Sequence, residues 1–168
     1  MKKTNKNIQK SKRPSWDEYF LSMAELVGTR GTCDRGRAGS VIVKDKRMLS
    51  AGYVGAPVGL PDCDEIGHQM HSVTHEDGSI SRHCVRTAHA EQNAINNAAR
   101  VGVSVMGGTM YCKMVPCYKC SQSIINAGIV RLVAMNDYHA TKESKIIFKQ
   151  AGVKLEILNK EVEKYKDQ

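Results

Sequence analysis

The sequence predicts an α/β domain built on a mixed five-stranded sheet with helices on both faces. From Ser40 onward the apolar patterning runs β-β-α-β-α-β-α-β. The first two strand patterns are separated only by the polar turn Lys44-Asp45-Lys46-Arg47, which makes them an antiparallel hairpin. The later strands alternate with helices, and strand–helix–strand connections call for parallel pairing. A length of 168 residues suits one domain with a real core.

Residues 1–13 carry Lys2, Lys3, Lys6, Lys10, Lys12 and Arg13 and no acid. They read as a basic, disordered and solvated tail, with a nucleic-acid arm as the alternative. Much of the net charge of +8 sits there, so the domain expected over residues 14–158 is close to balanced. Its charge does not mark it as a nucleic-acid binder. Ser15 is placed as an N-cap with Glu18 completing a capping box. Tyr19, Phe20, Met23, Leu26 and Val27 follow at helical spacing, and Gly28 is placed to close the helix. Residues 29–39 form a loop rich in glycine and arginine, including Arg35 and Arg37. Such a loop can approach a phosphate with amides and guanidinium groups, or can simply be a solvated connection.

Strands are expected over residues 40–43 and 48–53. The loop 54–61, with Gly55, Pro57, Gly59 and Pro61, demands an unusual backbone path of the kind that lines sites. Residues 63–84 read as an irregular insert. A helix follows over 89–101, with Ala90, Ala94, Ile95, Ala98 and Ala99 as its apolar stripe. Then come a strand over 109–112, a helix over 117–127 ended by Gly128, and a strand over 130–135. A helix over 141–151 ended by Gly152 and a last strand over 153–158 complete the domain. Residues 159–168 are charged and read as a tail or a frayed helix.

Two short stretches carry the chemistry: Thr87-Ala88-His89-Ala90-Glu91 and Val115-Pro116-Cys117-Tyr118-Lys119-Cys120. Cysteines at i and i+3 share a helix face, and a proline just before them suits a helix start. The electropositive helix N-terminus favours the thiolate that zinc requires. His89, Cys117 and Cys120 make three ligands and leave a fourth position open, the mark of a catalytic zinc. Glu91, two residues from His89, is free to act on a water bound there. Either half alone is weak, since C-x-x-C also serves redox chemistry or half of a structural zinc site. Together and in this order they form the H-x-E…P-C-x-x-C pattern of zinc deaminases.

The insert concentrates Cys63, His68, His71, His75, His83 and Cys84, with Cys33 upstream. This set suits a second, structural zinc, while separate surface histidines and inert thiols are the alternative. Spacing alone does not choose the four ligands. The chain shows no signal peptide and no apolar run long enough to span a membrane, so it reads as cytoplasmic. In that setting its six cysteines suit metal binding better than disulfides.

The chain resembles the deoxycytidylate (dCMP) deaminase family of the cytidine deaminase-like superfamily. The likeness runs over about residues 14–158. It rests on the segments Pro14-Ser15-Trp16-Asp17-Glu18-Tyr19-Phe20, Gly39-Ser40-Val41-Ile42-Val43-Lys44-Asp45 and Gly52-Tyr53-Val54-Gly55-Ala56-Pro57-Val58-Gly59. His83-Cys84-Val85-Arg86-Thr87-Ala88-His89-Ala90-Glu91 and Pro116-Cys117-Tyr118-Lys119-Cys120 complete it. The resemblance implies a three-layer α/β/α sandwich and conversion of dCMP to dUMP. It also implies homo-oligomers, often hexamers, and regulation by dCTP and dTTP. It implies that His89, Cys117 and Cys120 hold the catalytic zinc while Glu91 shuttles protons. Cys33, Cys63, His68 and Cys84 are implied as second-zinc ligands, with His71 and His83 as substitutes.

Val54 stands where the family usually has an asparagine that holds the nucleotide, and Cys112-Lys113 where it usually has Val-Thr. The usual paired arginines are reduced to Arg35 and Gly36, followed by Arg37. Position and charge therefore mark Arg35, Arg37, Lys113 and Arg100 as candidate phosphate contacts. The Val54–Gly55 segment and Tyr138 are expected beside the nucleotide. The competing readings are a tRNA adenosine deaminase, a riboflavin-pathway deaminase, a free-nucleoside deaminase, and a zinc-stabilised nucleotide- or DNA-binding module. The intact Glu91 beside three ligands argues against the last.

Overall fold

The structure, a computed structural model, describes residues 13–74, 78, 80–159 and 162–163. The basic stretch 1–12, His75 and most of the charged residues after 159 lie outside the described residues.

The chain opens with α1 (Trp16–Gly28), started by the expected capping box. Glu18 N–H donates to Ser15 Oγ at 3.2 Å, and Ser15 N–H donates to Glu18 Oε2 at 2.7 Å. The buried stripe is Phe20, Leu21, Ala24 and Gly28, whereas Leu26 faces solvent. Gly28 does not end the helix in a left-handed turn; Thr29 caps it in right-handed geometry. Gly28 is instead a contact point. A Cβ there would lie 2.8 Å from Gly39 N, so the missing side chain lets α1 press on the next strand.

The hairpin β1 (Gly39–Lys44) and β2 (Arg47–Tyr53) is antiparallel. Asp45 and Lys46, at φ 51° and 60°, supply the left-handed pair that a two-residue hairpin turn needs. The insert is not irregular. It holds a one-turn helix, α2 (Cys63–Ile66), and a second antiparallel hairpin, β3 (Met70–Thr74) with β4 (Ile80–Cys84). Periodicity missed these strands because β3 is exposed along nearly its whole length and has no core-facing side.

The remainder is α3 (Ala90–Arg100), β5 (Thr109–Met114), α4 (Tyr118–Asn126), β6 (Arg131–Tyr138), α5 (Lys142–Gln150) and β7 (Lys154–Ile157). A two-residue strand, β8 (Val162–Glu163), lies in the stretch expected to be a tail. The main sheet runs β2-β1-β5-β6-β7, with β8 added beside the far end of β6. Pairing is antiparallel from β2 through β5 and parallel from β5 onward, the mixed sheet that the patterning predicts.

The period of two along the central strands sorts the core into two layers. Val41, Val43, Tyr111 and Val133 face Phe20, Leu21 and Ala24 of α1. Ile42, Met110, Cys112, Leu132 and Ala134 face the opposite layer, with Ala94, Ala98, Ile124 and Phe148 from α3, α4 and α5. The result is the three-layer sandwich. No described helix is long and apolar enough to cross a membrane.

Candidate active site

The N-termini of α3 and α4 meet beside the carboxyl end of β5. His89 and Cys117 are the N-cap residues of these helices, at ψ 156° and 165°. Neither spends its side chain on capping. Gln92 Oε1 accepts the His89 N–H at 3.2 Å and steadies that turn. Cys120 lies one turn into α4, fully buried.

His89 Nδ1 stands 3.5 Å from Cys117 Sγ and 3.4 Å from Cys120 Sγ. A tetrahedral zinc with sulfur at about 2.3 Å and nitrogen at about 2.0 Å requires N···S edges of roughly 3.5 Å. The donor set therefore fits that ion. The electrostatics of Cys117 agree. The Cys117 thiol is pulled down to about 4, first by its hydrogen bond with Cys120 and then by His89. Cys117 in turn raises His89 to about 9, so the imidazole would have to release a proton to bind zinc. The helix dipoles aim positive ends at the same point.

Glu91 lines the same cavity of about 140 Å³. Burial holds its carboxyl above the usual range, opposed by the neighbouring His89. Val54, Lys113 and Tyr138 also line the cavity, as does Arg35 from the loop after α1. Val54 is pinned at both backbone groups, donating to Ala38 O and accepting from Thr32 N–H, each at 3.0 Å. It presents only methyl groups to the cavity. Asn93 does not face substrate space; its Nδ2 donates to Tyr53 O at 2.8 Å and holds the β2 end.

Three sequence candidates are not among the lining residues. Arg100 sits at the far end of α3, roughly 16 Å along the helix from His89 at about 1.5 Å per residue. Arg37 is exposed outside the cavity. Gly55 pairs with Ala88 as an isolated bridge and anchors the loop behind the site. Conversely, Thr87, Arg82 and His83 line the cavity and were not expected as substrate contacts. No apolar period marks Arg82 in the sequence, because the residue that β4 buries beside it is the polar Ser81 and Ile80 is exposed.

A second cluster lies beside this cavity. Cys33, Cys63, His68 and Cys84 bring one ligand atom each to within 4.8 Å of one another. Cys33 Sγ is 3.6 Å from His68 Nδ1, and Cys63 Sγ is 3.5 Å from Cys84 Sγ. Asp34 Oδ1 accepts from His68 Nε2 at 3.0 Å, which leaves Nδ1 aimed at the thiols. Burial raises the Cys63 thiol to about 12. Burial also raises Cys84, but hydrogen bonds from the Arg86 and Gln69 backbone overcome it and bring that thiol to about 7. His71 and His83 are not part of the cluster. All six cysteines are free.

The model of the cytidine and deoxycytidylate deaminase zinc-binding region matches residues 14–136. The chain is 39% identical over 144 residues to ComE operon protein 2 of Bacillus subtilis, covering 86% of this chain and 71% of that protein. It is 36% identical over 141 residues to the deoxycytidylate deaminase of Saccharomyces cerevisiae, covering 84% of this chain but only 44% of the yeast protein. Among solved structures, the dCMP deaminase of cyanophage S-TIM5 in complex with dCMP and dUMP superposes with a TM-score of 0.70. That match has 29% identity and covers 88% of this chain and 99% of the phage chain.

Proposed function

The chain belongs to the cytidine and deoxycytidylate deaminase family, and we propose that it is a zinc-dependent hydrolase converting dCMP to dUMP and ammonia. The observation that carries this reading is one cavity lined by Glu91 and the ligand pair His89 and Cys117, with Arg35 and Lys113 beside them. The cations suit a phosphate, and the carboxylate suits proton transfer at a cytosine ring.

His89, Cys117 and Cys120 would hold a zinc ion, which would supply a water of lowered pKa. Glu91 takes a proton from the attacking water and delivers it to ring N3. The remaining hydroxide adds to C4; Glu91 then takes the proton of the new C4 hydroxyl and gives it to the amino group, the C4–N bond breaks, ammonia leaves and C4 becomes a carbonyl. Val54 packs on the nucleotide without hydrogen bonding to it, so orientation falls to Arg35, Lys113 and Tyr138. The buried Cys112 thiol, pushed well up by burial, stays inert behind the site.

Three finer features belong to the same proposal. A second zinc is held by Cys33, Cys63, His68 and Cys84 and takes the place of a local core under the insert. The protein acts as a homo-oligomer, a hexamer by family resemblance, and responds to dCTP and dTTP. It works in the cytoplasm, without a membrane or nucleic-acid partner.

The test is ammonia release by zinc-loaded protein offered dCMP, CMP, deoxycytidine and dCTP separately, with and without added dCTP or dTTP. Preference for dCMP is expected. No release from any of them, with zinc verified at the site, sinks the proposal.

A further inference from the structure

We infer that Arg82, on the β3–β4 hairpin, recognises the phosphate of the nucleotide together with Arg35, and that the Cys33–Cys63–His68–Cys84 cluster sets the position of both arginines. The inference rests on the reading of the site as one for a nucleoside monophosphate.

Arg35 and Arg82 line the cavity that holds His89 and Glu91. Each lies two residues from a member of the second cluster: Arg35 follows Cys33, and Arg82 precedes Cys84. The two arginines are also joined directly, since Arg35 Nη2 donates to the Arg82 carbonyl at 3.4 Å. Two arginines on one cavity wall suit a dianionic phosphoryl group, which accepts several charge-assisted hydrogen bonds.

The cluster matters because little else ties the hairpin down. Among the described residues, β3 and β4 pack extensively only on each other. The backbone bond from Val85 N–H to Gln69 O at 2.8 Å is internal to the insert. So is the bond from Arg86 Nε to Gly67 O at 2.9 Å. Cys33 is the one cluster member outside residues 63–84, so a metal there clips the hairpin to the loop after α1. Lys113 stands apart from this arrangement. It is carried by β5 in the main sheet, and its place does not depend on the clip.

The experiment compares ligands that differ only in the phosphate. Binding of dUMP and of deoxyuridine is measured by titration calorimetry for the zinc-loaded protein and for Arg82→Ala, with turnover of dCMP and deoxycytidine alongside. Loss of one charged contact should weaken dUMP roughly ten- to a hundredfold while deoxyuridine binding holds. For dCMP the loss should fall on KM rather than kcat, and Arg82→Lys should recover part of it. His68→Ala should lose one metal ion per chain, keep deoxyuridine binding and weaken dUMP. The inference is overturned if Arg82→Ala weakens both ligands alike or neither. The role of the cluster is overturned if His68→Ala loses metal and binds dUMP unchanged. If His68→Ala does not fold, Arg82→Lys against Arg82→Ala still decides the phosphate contact. Cadmium substitution, followed by its thiolate absorption and by dUMP affinity, then decides the clip: a shift in dUMP affinity without one in deoxyuridine supports it, and no shift overturns it. Failure of the unvaried protein to deaminate dCMP counts against the proposed reaction, while the dUMP-to-deoxyuridine ratio still judges Arg82.

Discussion

Arg131 Nη1 and Nη2 donate to the two carboxylate oxygens of Asp17 at 2.9 and 2.8 Å, joining residues that are 114 apart in sequence. The fork ties the first turn of α1 to the start of β6, and Tyr111 Oη adds a third bond to Asp17 at 2.8 Å. Glu156 pairs with the same guanidinium from β7. The Arg131 bond holds the Asp17 carboxyl below its ordinary 3.8, against the opposing effect of burial. A group whose folded pKa is depressed contributes stability above its unfolded pKa and loses it as pH falls through the folded value. We therefore expect Asp17→Asn to cost about 1–2 kcal/mol in urea unfolding at neutral pH, after allowance for partial exposure. The difference from the unaltered protein should stay level down to about pH 5 and close below about pH 4. A difference that grows toward low pH would remove Asp17 from this role.

Glu91→Gln should keep the metal content of the protein while lowering deamination at least 100-fold, because general acid–base catalysis is worth roughly two to four orders of magnitude. Glutamine retains the size and a hydrogen bond but cannot carry the proton. Atomic absorption and ammonia release on the same sample check both halves. A variant keeping more than about a tenth of the turnover would exclude Glu91 as the proton carrier.

The two cysteine clusters should respond differently to loss of a ligand. The N-termini of α3 and α4 are anchored by a core that forms without metal, whereas β3 and β4 have little packing beyond each other. Cys63→Ser should lower the melting temperature by on the order of 10 °C, and Cys117→Ser by less than half of that. Each should remove one metal ion per chain, and Cys117→Ser alone should abolish turnover. Calorimetric melts with metal analysis test the contrast. The reverse order of melting temperatures would place the structural metal at the wrong cluster.

The sandwich was legible because its central strands carry apolar residues on both faces, and because each later helix ends at a glycine. Gly128 and Gly152 hold φ 75° and 73°, where such a stop needs them. That His89, Cys117 and Cys120 come together was legible because Cys117 and Cys120 are a local pair at fixed spacing and His89 opens the neighbouring helix. What escaped was set by long-range contact. Gly28 looked like a stop signal, but its role is set by Gly39 across the helix–strand contact. Arg100 has the charge of a phosphate contact, but it lies at the end of α3 opposite to His89. Arg82 is invisible to periodicity because the residue its strand buries is the polar Ser81, so no apolar period arises. Arg37 and Arg35 are two residues apart in one loop, and only the folded path shows which of them reaches the cavity.

Gly52 links the sheet to the chemistry. A Cβ there would stand 2.2 Å from Ala94 N and 2.5 Å from Ala90 O, both backbone atoms of α3. The helix is stitched down on either side of that point. Ser50 Oγ donates to Ala94 O at 2.7 Å, and Asn97 Nδ2 donates to Ala51 O at 2.9 Å. Gly52→Ala can be accommodated only by lifting α3, and the lifted end carries His89 and Glu91. We expect a loss of about 1–3 kcal/mol from overpacking. A tenfold or larger fall in kcat should accompany it, since a displacement near 1 Å can cost about a hundredfold in rate. Gly102→Ala is the control. Its φ of 71° strains an added side chain, but open space surrounds it. It should cost about 1 kcal/mol in stability and leave kcat unchanged. Equal kcat values for the two variants would mean that α3 can shift on the sheet without moving the reacting groups, and the close contact at Gly52 would then serve stability alone.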